Sequence, residues 1–459
     1  MRFTELAAVT GGKLLNDDRA DQNFRGVSID SRAVKPGELF IAIRGDKHDG
    51  HDYIEQAVGN GAAGVIAEIS TARAQGITGD AAVVTVANSH QAMIEMAKQY
   101  RNSIDGRFVG ITGSNGKTTT KELTFRLIKS VEPRTFCSPG NFNNLYGLPL
   151  SLFAVENDAR VVVLEMGIST TGEMPQLAEI VRPDVIVITN VGPSHLEFLG
   201  TVEAVAQSKL ELVRQAAAGV PVIINGDDVL LVRETKKVRR DFLTFALDSK
   251  ADFTVDRIDV DKDGANLVTI EGNVLRLPLS GRHQVYNLLA AYATFRTLGY
   301  EFAGIDTGSL SLETAPMRGQ RIEAGGITFL SDCYNANPDS VRAGLKAFFS
   351  TPTGGRRVVI LGDMLELGVE SERYHREVGR LLATEQFDKA VMVGEMSRFM
   401  IDEAVKAGAD SSLFEHHDSA ARAAERVREF LKAGDFVYVK GSRGVGLEVV
   451  LEKFGVTEE

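Results

Sequence analysis

Gly110–Leu123 reads GITGSNGKTTTKEL, a glycine turn followed by a lysine, a run of threonines and a stretch of helix-forming composition. RFVGIT (Arg107–Thr112) has the length and apolar content of a short buried strand, and Lys117 to Ser130 has the composition of a helix. The glycines therefore lie at a strand-to-helix corner, where backbone N–H groups and the helix dipole favour an anion. There Thr112, Gly113, Ser114, Asn115, Gly116, Lys117, Thr118 and Thr119 form a nucleotide-phosphate loop, with Lys117 on the β- and γ-phosphates and the Thr118 hydroxyl offered to Mg2+. The strict phosphate-loop pattern asks for glycine five positions before Gly116, where Ile111 stands, so this loop is a variant.

The chain has 459 residues, 44% hydrophobic and 25% charged, enough for two to four globular domains. Its net charge of -11 argues against nucleic acid as a partner, which needs a basic footprint, but not against a small anion in a locally positive cleft. With two cysteines, Cys137 and Cys333, and no basic and apolar leader in MRFTELAAVTGG, a cytoplasmic protein without a disulfide framework or membrane span is expected.

Around the phosphate loop the chain divides into three blocks. Residues 1–85 read as a small α/β domain with strands in ELFIAIRG (Glu38–Gly45) and AGVIAE (Ala63–Glu68). Residues 86–314 carry VVVLEMG, DVIVITNVG and VPVIINGDD, buried strands separated by helices as in a parallel sheet covered on both faces, then hairpin-like strands after Asp252 and an alanine-rich helix from Gln284 to Leu298. Residues 315–459 repeat the strand–helix rhythm as a Rossmann-like doubly wound sheet. The expected class is α/β, in three domains.

Ligands bind at the carboxyl ends of parallel strands. Glu165 ends VVVLE, either as a Mg2+ ligand or as a cap on the next turn, and His195 lies in the loop after DVIVITNVG, where a lone histidine is by itself an ordinary surface residue. Asn141, Asn143 and Asn144 in NFNNLYGLP form either a turn-rich loop or an amide wall for a polar substrate. Capping accounts for Asn337 and Pro338 in SDCYNANPDS, but not for Asp332, Tyr334 and Asn335, which crowd a strand end. GDMLELG and KGSRG add polar residues at later strand ends, so the third block also has a polar rim.

With TGSNGKTTTKE, SIDSR, GNFNNLYGLPLSL, LEMG, TNVGPSHLEFLG, GRHQVYNLLAA, DCYNANPDS, LGDMLELG and KGSRG in this order, the chain resembles the Mur ligases of peptidoglycan synthesis along essentially its whole length. The resemblance implies an ATP-dependent amide-forming ligase using ATP and Mg2+, with a UDP-N-acetylmuramoyl-tripeptide and D-alanyl-D-alanine as substrates, acting as a monomer. It implies that Asp30, Ser31 and Arg32 belong to the uridine-nucleotide pocket. Thr118, Glu165 and His195 match the family's metal positions, His283 and Asn287 its adenine-side motif, and Asp332, Tyr334 and Asn335 the third domain's share of ATP binding. Lys209 matches a carbamylated lysine; a carbamate supplies the oxygen ligands that an ammonium lacks. Arg318 and Arg321 both lie near the family's inter-domain arginine, and the RIE spacing favours Arg321.

Overall fold

Every residue of the strands Val161–Glu165, Val185–Ile188 and Val222–Asn225 is buried, as unbroken Val/Ile/Leu runs require. The computed structural model describes residues 1–456 except 46, 69–76, 78–80, 263, 309, 313 and 314. The described chain falls into two compact units: Met1–Phe108 with Arg134–Met166 and Pro175–Pro183, and Val109–Pro133 with Gly167–Met174 and Asp184 onward.

In the first unit, Val27–Ser28, Leu39–Ile41, Gly64–Ala67 and Ala82–Thr85 pair in parallel in that order, and Lys13–Leu14 adds antiparallel to the last. The helix Phe3–Thr10 crosses this sheet with Phe3 fully buried. A Cβ at Gly64 would stand 2.3 Å from the Phe3 ring, so the glycine leaves room for the helix. The ladders are shorter than the apolar runs: only Leu39–Ile41 of ELFIAIRG is strand, because the chain turns away at Ala42–Gly45 to begin the next loop. Thr135–Cys137 and Val161–Glu165, also in this unit, pair in parallel.

In the second unit, Val109–Thr112 pairs with Val185–Ile188, which pairs with Val222–Asn225, which pairs with Leu243–Phe245, all parallel. The helix after the phosphate loop, Lys117–Lys129, packs on Arg282–Thr297. That second helix is buried on most of its circumference, and its alanines let the two backbones approach. Arg257–Val260, Asn266–Ile270 and Asn273–Leu277 make a three-stranded antiparallel sheet, the hairpins expected after Asp252. The last sheet runs Gln320–Ala324, Ile327–Ser331, Phe436–Lys440, Arg357–Gly362, Lys389–Val393, Phe414–His417; its first pair is antiparallel and the rest parallel. Apolar residues from both of its faces fill two clusters, one including Leu330, Phe348 and Tyr438 and the other Phe329, Val437 and Val450. Among the described residues no helix is long and apolar enough to cross a membrane.

Candidate active site

The strand Arg107–Thr112 ends on a buried threonine, and Gly116 caps the following helix in a left-handed conformation, φ 79°. A Cβ at Gly116 would meet Asn287 Oδ1 at 2.1 Å, and one at Gly113 would meet Thr189 Oγ1 at 1.9 Å. The loop is thus pressed against its supports. Thr120 N–H is the first to bond back, to Gly116 O, so the preceding turn presents its amides beyond the helix end. Lys117 Nζ lies folded over the loop, donating to Gly113 O at 2.9 Å and Ser114 O at 3.4 Å. Thr118, Thr119 and Thr120 are buried.

The loop Thr189–His195 holds the phosphate loop in place. Ser114 N–H donates to Asn190 O at 3.0 Å, Asn115 N–H to Asn190 Oδ1 at 2.8 Å, and Thr189 Oγ1 to Asn115 O at 2.6 Å. Ser114 Oγ bonds Gly192 and Ser194. The sequence marks Asn190, Thr189 and Ser194 only through the polar run TNVGPSH after a buried strand.

Lys209 lies on the helix Val202–Gln215 with 2% of its surface exposed. Burial, helped by the positive charge of Lys117, pushes its pKa well below the ordinary lysine value. Among the described residues no carboxylate lies within ion-pair distance of it. Asn287, on the helix Arg282–Thr297, accepts from Thr120 Oγ1 at 3.5 Å and donates to Gln284 Oε1 at 2.9 Å. His283, one turn earlier, is lowered to about 4 by burial, with Asp332 opposing and Lys440 reinforcing.

From the last sheet, Asp332 accepts from Lys440 Nζ at 2.7 Å and Tyr438 Oη at 3.0 Å, and Lys440 also donates to Asn335 O at 3.0 Å. Lys440, from KGSRG, is the buried cation that holds this strand end. Asn335 is exposed, with its side chain accepting from Ala336 N–H. Asn337 does more than cap its helix: Oδ1 accepts from Ser340 N–H while Nδ2 donates to Asn115 Oδ1 of the phosphate loop at 2.7 Å. Arg318 stacks over the Tyr334 ring at 3.9 Å, whereas Arg321 is exposed and ion-paired with Glu323 at 3.2 Å. The RIE spacing that favoured Arg321 here sets two residues on one face of a strand.

The remaining expected residues lie in the first unit. Asp30 is held at about 2 by its bond to the Arg32 guanidinium, 2.7 Å away, and buried Ser31 donates to Gln56 Oε1 at 2.8 Å. Glu165 is buried and accepts from Asn143 Nδ2 at 2.7 Å. Asn144 accepts from Tyr146 and Gly147 N–H and so shapes the turn, while Asn141 is exposed.

Among the described residues no three carboxylate, imidazole or thiol groups converge to hold a metal. The Thr118 hydroxyl and the helix-start amides from Gly116 to Thr119 suit a nucleotide phosphate that brings its own cation oxygens, the way Mg2+ is commonly held.

Three family models match the chain: the Mur ligase family, catalytic domain, over residues 23–105; the Mur ligase middle domain over 111–295; and the Mur ligase, glutamate ligase domain, over 317–443. The chain is similar to the UDP-N-acetylmuramoyl-tripeptide–D-alanyl-D-alanine ligase of Bacillus subtilis, at 31% identity over 97% of this chain and 96% of that one. It is similar in structure to MurF from Acinetobacter baumannii, at TM-score 0.84, 26% identity and 98% and 97% coverage. MurF ligase from Thermotoga maritima in complex with ADP is similar at TM-score 0.79, 31% identity and 94% and 97% coverage.

Proposed function

The chain belongs to the Mur ligase family, with its three α/β domains, and we propose that it joins D-alanyl-D-alanine to UDP-N-acetylmuramoyl-tripeptide with ATP in peptidoglycan precursor synthesis. The observation that carries this reading is the likeness to the Bacillus subtilis ligase across nearly the whole length of both chains. We place the domain limits near residues 85 and 314, and the enzyme in the cytoplasm as a monomer.

The tripeptide's terminal carboxylate attacks the γ-phosphorus of ATP, ADP departs, and the resulting acyl phosphate is attacked by the amine of D-Ala-D-Ala, releasing phosphate and forming the amide. Little covalent work falls to the protein; positioning and charge stabilisation do most of it. Lys117 swings from the Gly113 and Ser114 carbonyls onto the transferring phosphate, and the amides of Gly116 to Thr119, at the helix start, hold the phosphate oxygens in place. Asn287 and His283 take the adenine side, and Asp332, Tyr334 and Asn335 the face supplied by the last domain, with Arg318 now favoured over Arg321 because it already lies on Tyr334. Asp30, Ser31 and Arg32 receive the uridine nucleotide, and Asn141, Asn143 and Asn144 the peptidyl substrate.

Mg2+, when bound, neutralises phosphate charge; we assign it Thr118, His195 and Lys209 as a carbamate, with Glu165 assigned from the family resemblance. The buried setting of Lys209 favours its neutral amine, the form that adds CO2, and so supports that modification. The test counts phosphate and amide in one reaction for the native chain and for Lys117→Ala. Native turnover should release one phosphate per amide, only with both substrates present, and Lys117→Ala should fall on the order of a hundredfold. Brisk phosphate release without amide, or amide only from lysine or diaminopimelate with a UDP-dipeptide, would sink the assignment.

A further inference from the structure

His195 and Glu366 lie 171 residues apart, and each has a left-handed backbone, φ 54° and 61°. Such conformations are costly for residues other than glycine and persist where the surroundings impose them. Here the two meet, with His195 Nδ1 2.5 Å from Glu366 Oε2. An exposed histidine–carboxylate pair alone would mean little. This one has a built footing. Glu197 N–H donates to Glu366 O at 3.0 Å, and a Cβ at Gly368 would stand 3.1 Å from Glu197 Cα. Beneath it Leu196 and Leu199 share a buried cluster with Met364 and Leu367. The loop Gly362–Gly368 of the last sheet is thus seated on the His195 loop by main chain, side chain and apolar contacts together.

We infer that Glu366 is a positioning residue for His195: by accepting a hydrogen bond from Nδ1–H it fixes the imidazole tautomer and leaves the Nε2 lone pair as the donor toward the nucleotide-bound cation. A neutral imidazole carries one N–H, and the group that bonds one nitrogen decides which lone pair the other presents. The seating of the GDMLELG loop then sets the orientation of a residue in the central domain. This rests on the reading in which His195 serves the cation of ATP.

The experiment uses the full chain in four forms: native, Glu366→Ala, His195→Ala and the double variant, with Glu366→Gln as a size-conserving alternative should the alanine variant not fold. Nitrogen-15 NMR without nucleotide should show native His195 protonated at Nδ1 and bare at Nε2, a pattern that Glu366→Ala loses. The Mg2+ concentration giving half-maximal rate should rise about 10- to 100-fold in Glu366→Ala, less in Glu366→Gln, with the KM for the UDP-tripeptide nearly unchanged. In the His195→Ala background, removing Glu366 should add nothing. A native tautomer and Mg2+ dependence in Glu366→Ala, or an equal loss in both backgrounds, overturns the inference while leaving the role of His195 intact. Native Mg2+ dependence in His195→Ala overturns that role, and the inference with it.

Discussion

Gly116 has a left-handed φ and no room for a side chain, because Asn287 Oδ1 would stand 2.1 Å from its Cβ. Gly116→Ala should therefore both strain the turn and push Asn287 away, lowering kcat/KM for ATP by at least about tenfold and the melting temperature by a few degrees. Steady-state kinetics beside a thermal melt separate the two effects. Thr112 is the opposite case. Its hydroxyl is buried and, among the described residues, has no hydrogen-bond partner, so the isosteric Thr112→Val should leave stability equal or raise it by up to about 1 kcal/mol. If ATP uses that hydroxyl, the variant will keep its stability and lose ATP affinity; if the strand end only supports the loop, both will survive. The strand, turn and helix that carry the glycines, Lys117 and Thr118 were legible because they are local and follow one another in sequence. Asn190 and Asn337 were not, since they reach Asn115 across 75 and 222 residues, and nothing in their own neighbourhoods says where they land. The stacking of Arg318 on Tyr334 was hidden for the same reason, since the ring lies on the far side of a hairpin.

At the scale of elements, the helix Arg282–Thr297 carries in its first turn His283, whose ring faces the charges of Asp332 and Lys440 on the last sheet. The unfolded chain protonates this histidine near 6.5, the folded chain only near 4. Between those values the unfolded state holds the extra proton, so the stabilisation is complete above pH 6.5 and is lost as pH falls towards 4. The loss would reach about 3 kcal/mol at most, and less in practice because the ring keeps some solvent contact. Denaturant unfolding at pH 7 and pH 5 should show a smaller drop in His283→Gln than in the native chain; an equal drop would assign the pH sensitivity elsewhere. The helix itself was expected from its alanine-rich composition two residues later, at Gln284. Its packing partner, the helix Lys117–Lys129, was not legible, because an alanine-rich face fits any close neighbour. The parallel strands of the last block were legible where each is a buried apolar run, whereas the antiparallel edge strand Gln320–Ala324, polar and largely exposed, was not.

At the scale of the second unit, the last sheet meets the phosphate loop and its support at three places: Asn337 on Asn115, Asp339 over Gly192, and Glu366 on His195. An acyl phosphate is open to water as well as to the amine, so these contacts serve catalysis if they keep water out while the dipeptide enters. Gly192 tests that directly. A Cβ there would lie 2.2 Å from Asp339 Oδ2, and Asp339 is itself tethered by Arg342 at 3.1 Å. A single methyl leaves the carboxylate a way to swing aside, but a branched side chain does not, so Gly192→Val should lift the start of the helix Pro338–Ser350 from the loop. Asn337 would then lose its hold on Asn115, and the reacting groups their alignment, where a misplacement of about 1 Å costs on the order of a hundredfold. Amide formation should fall further than phosphate release, and the ratio of phosphate to amide should climb above one. A variant that slowed both equally would show that the contact only positions ATP. One that leaked phosphate would show that seating the last domain is what commits the acyl phosphate to the amine.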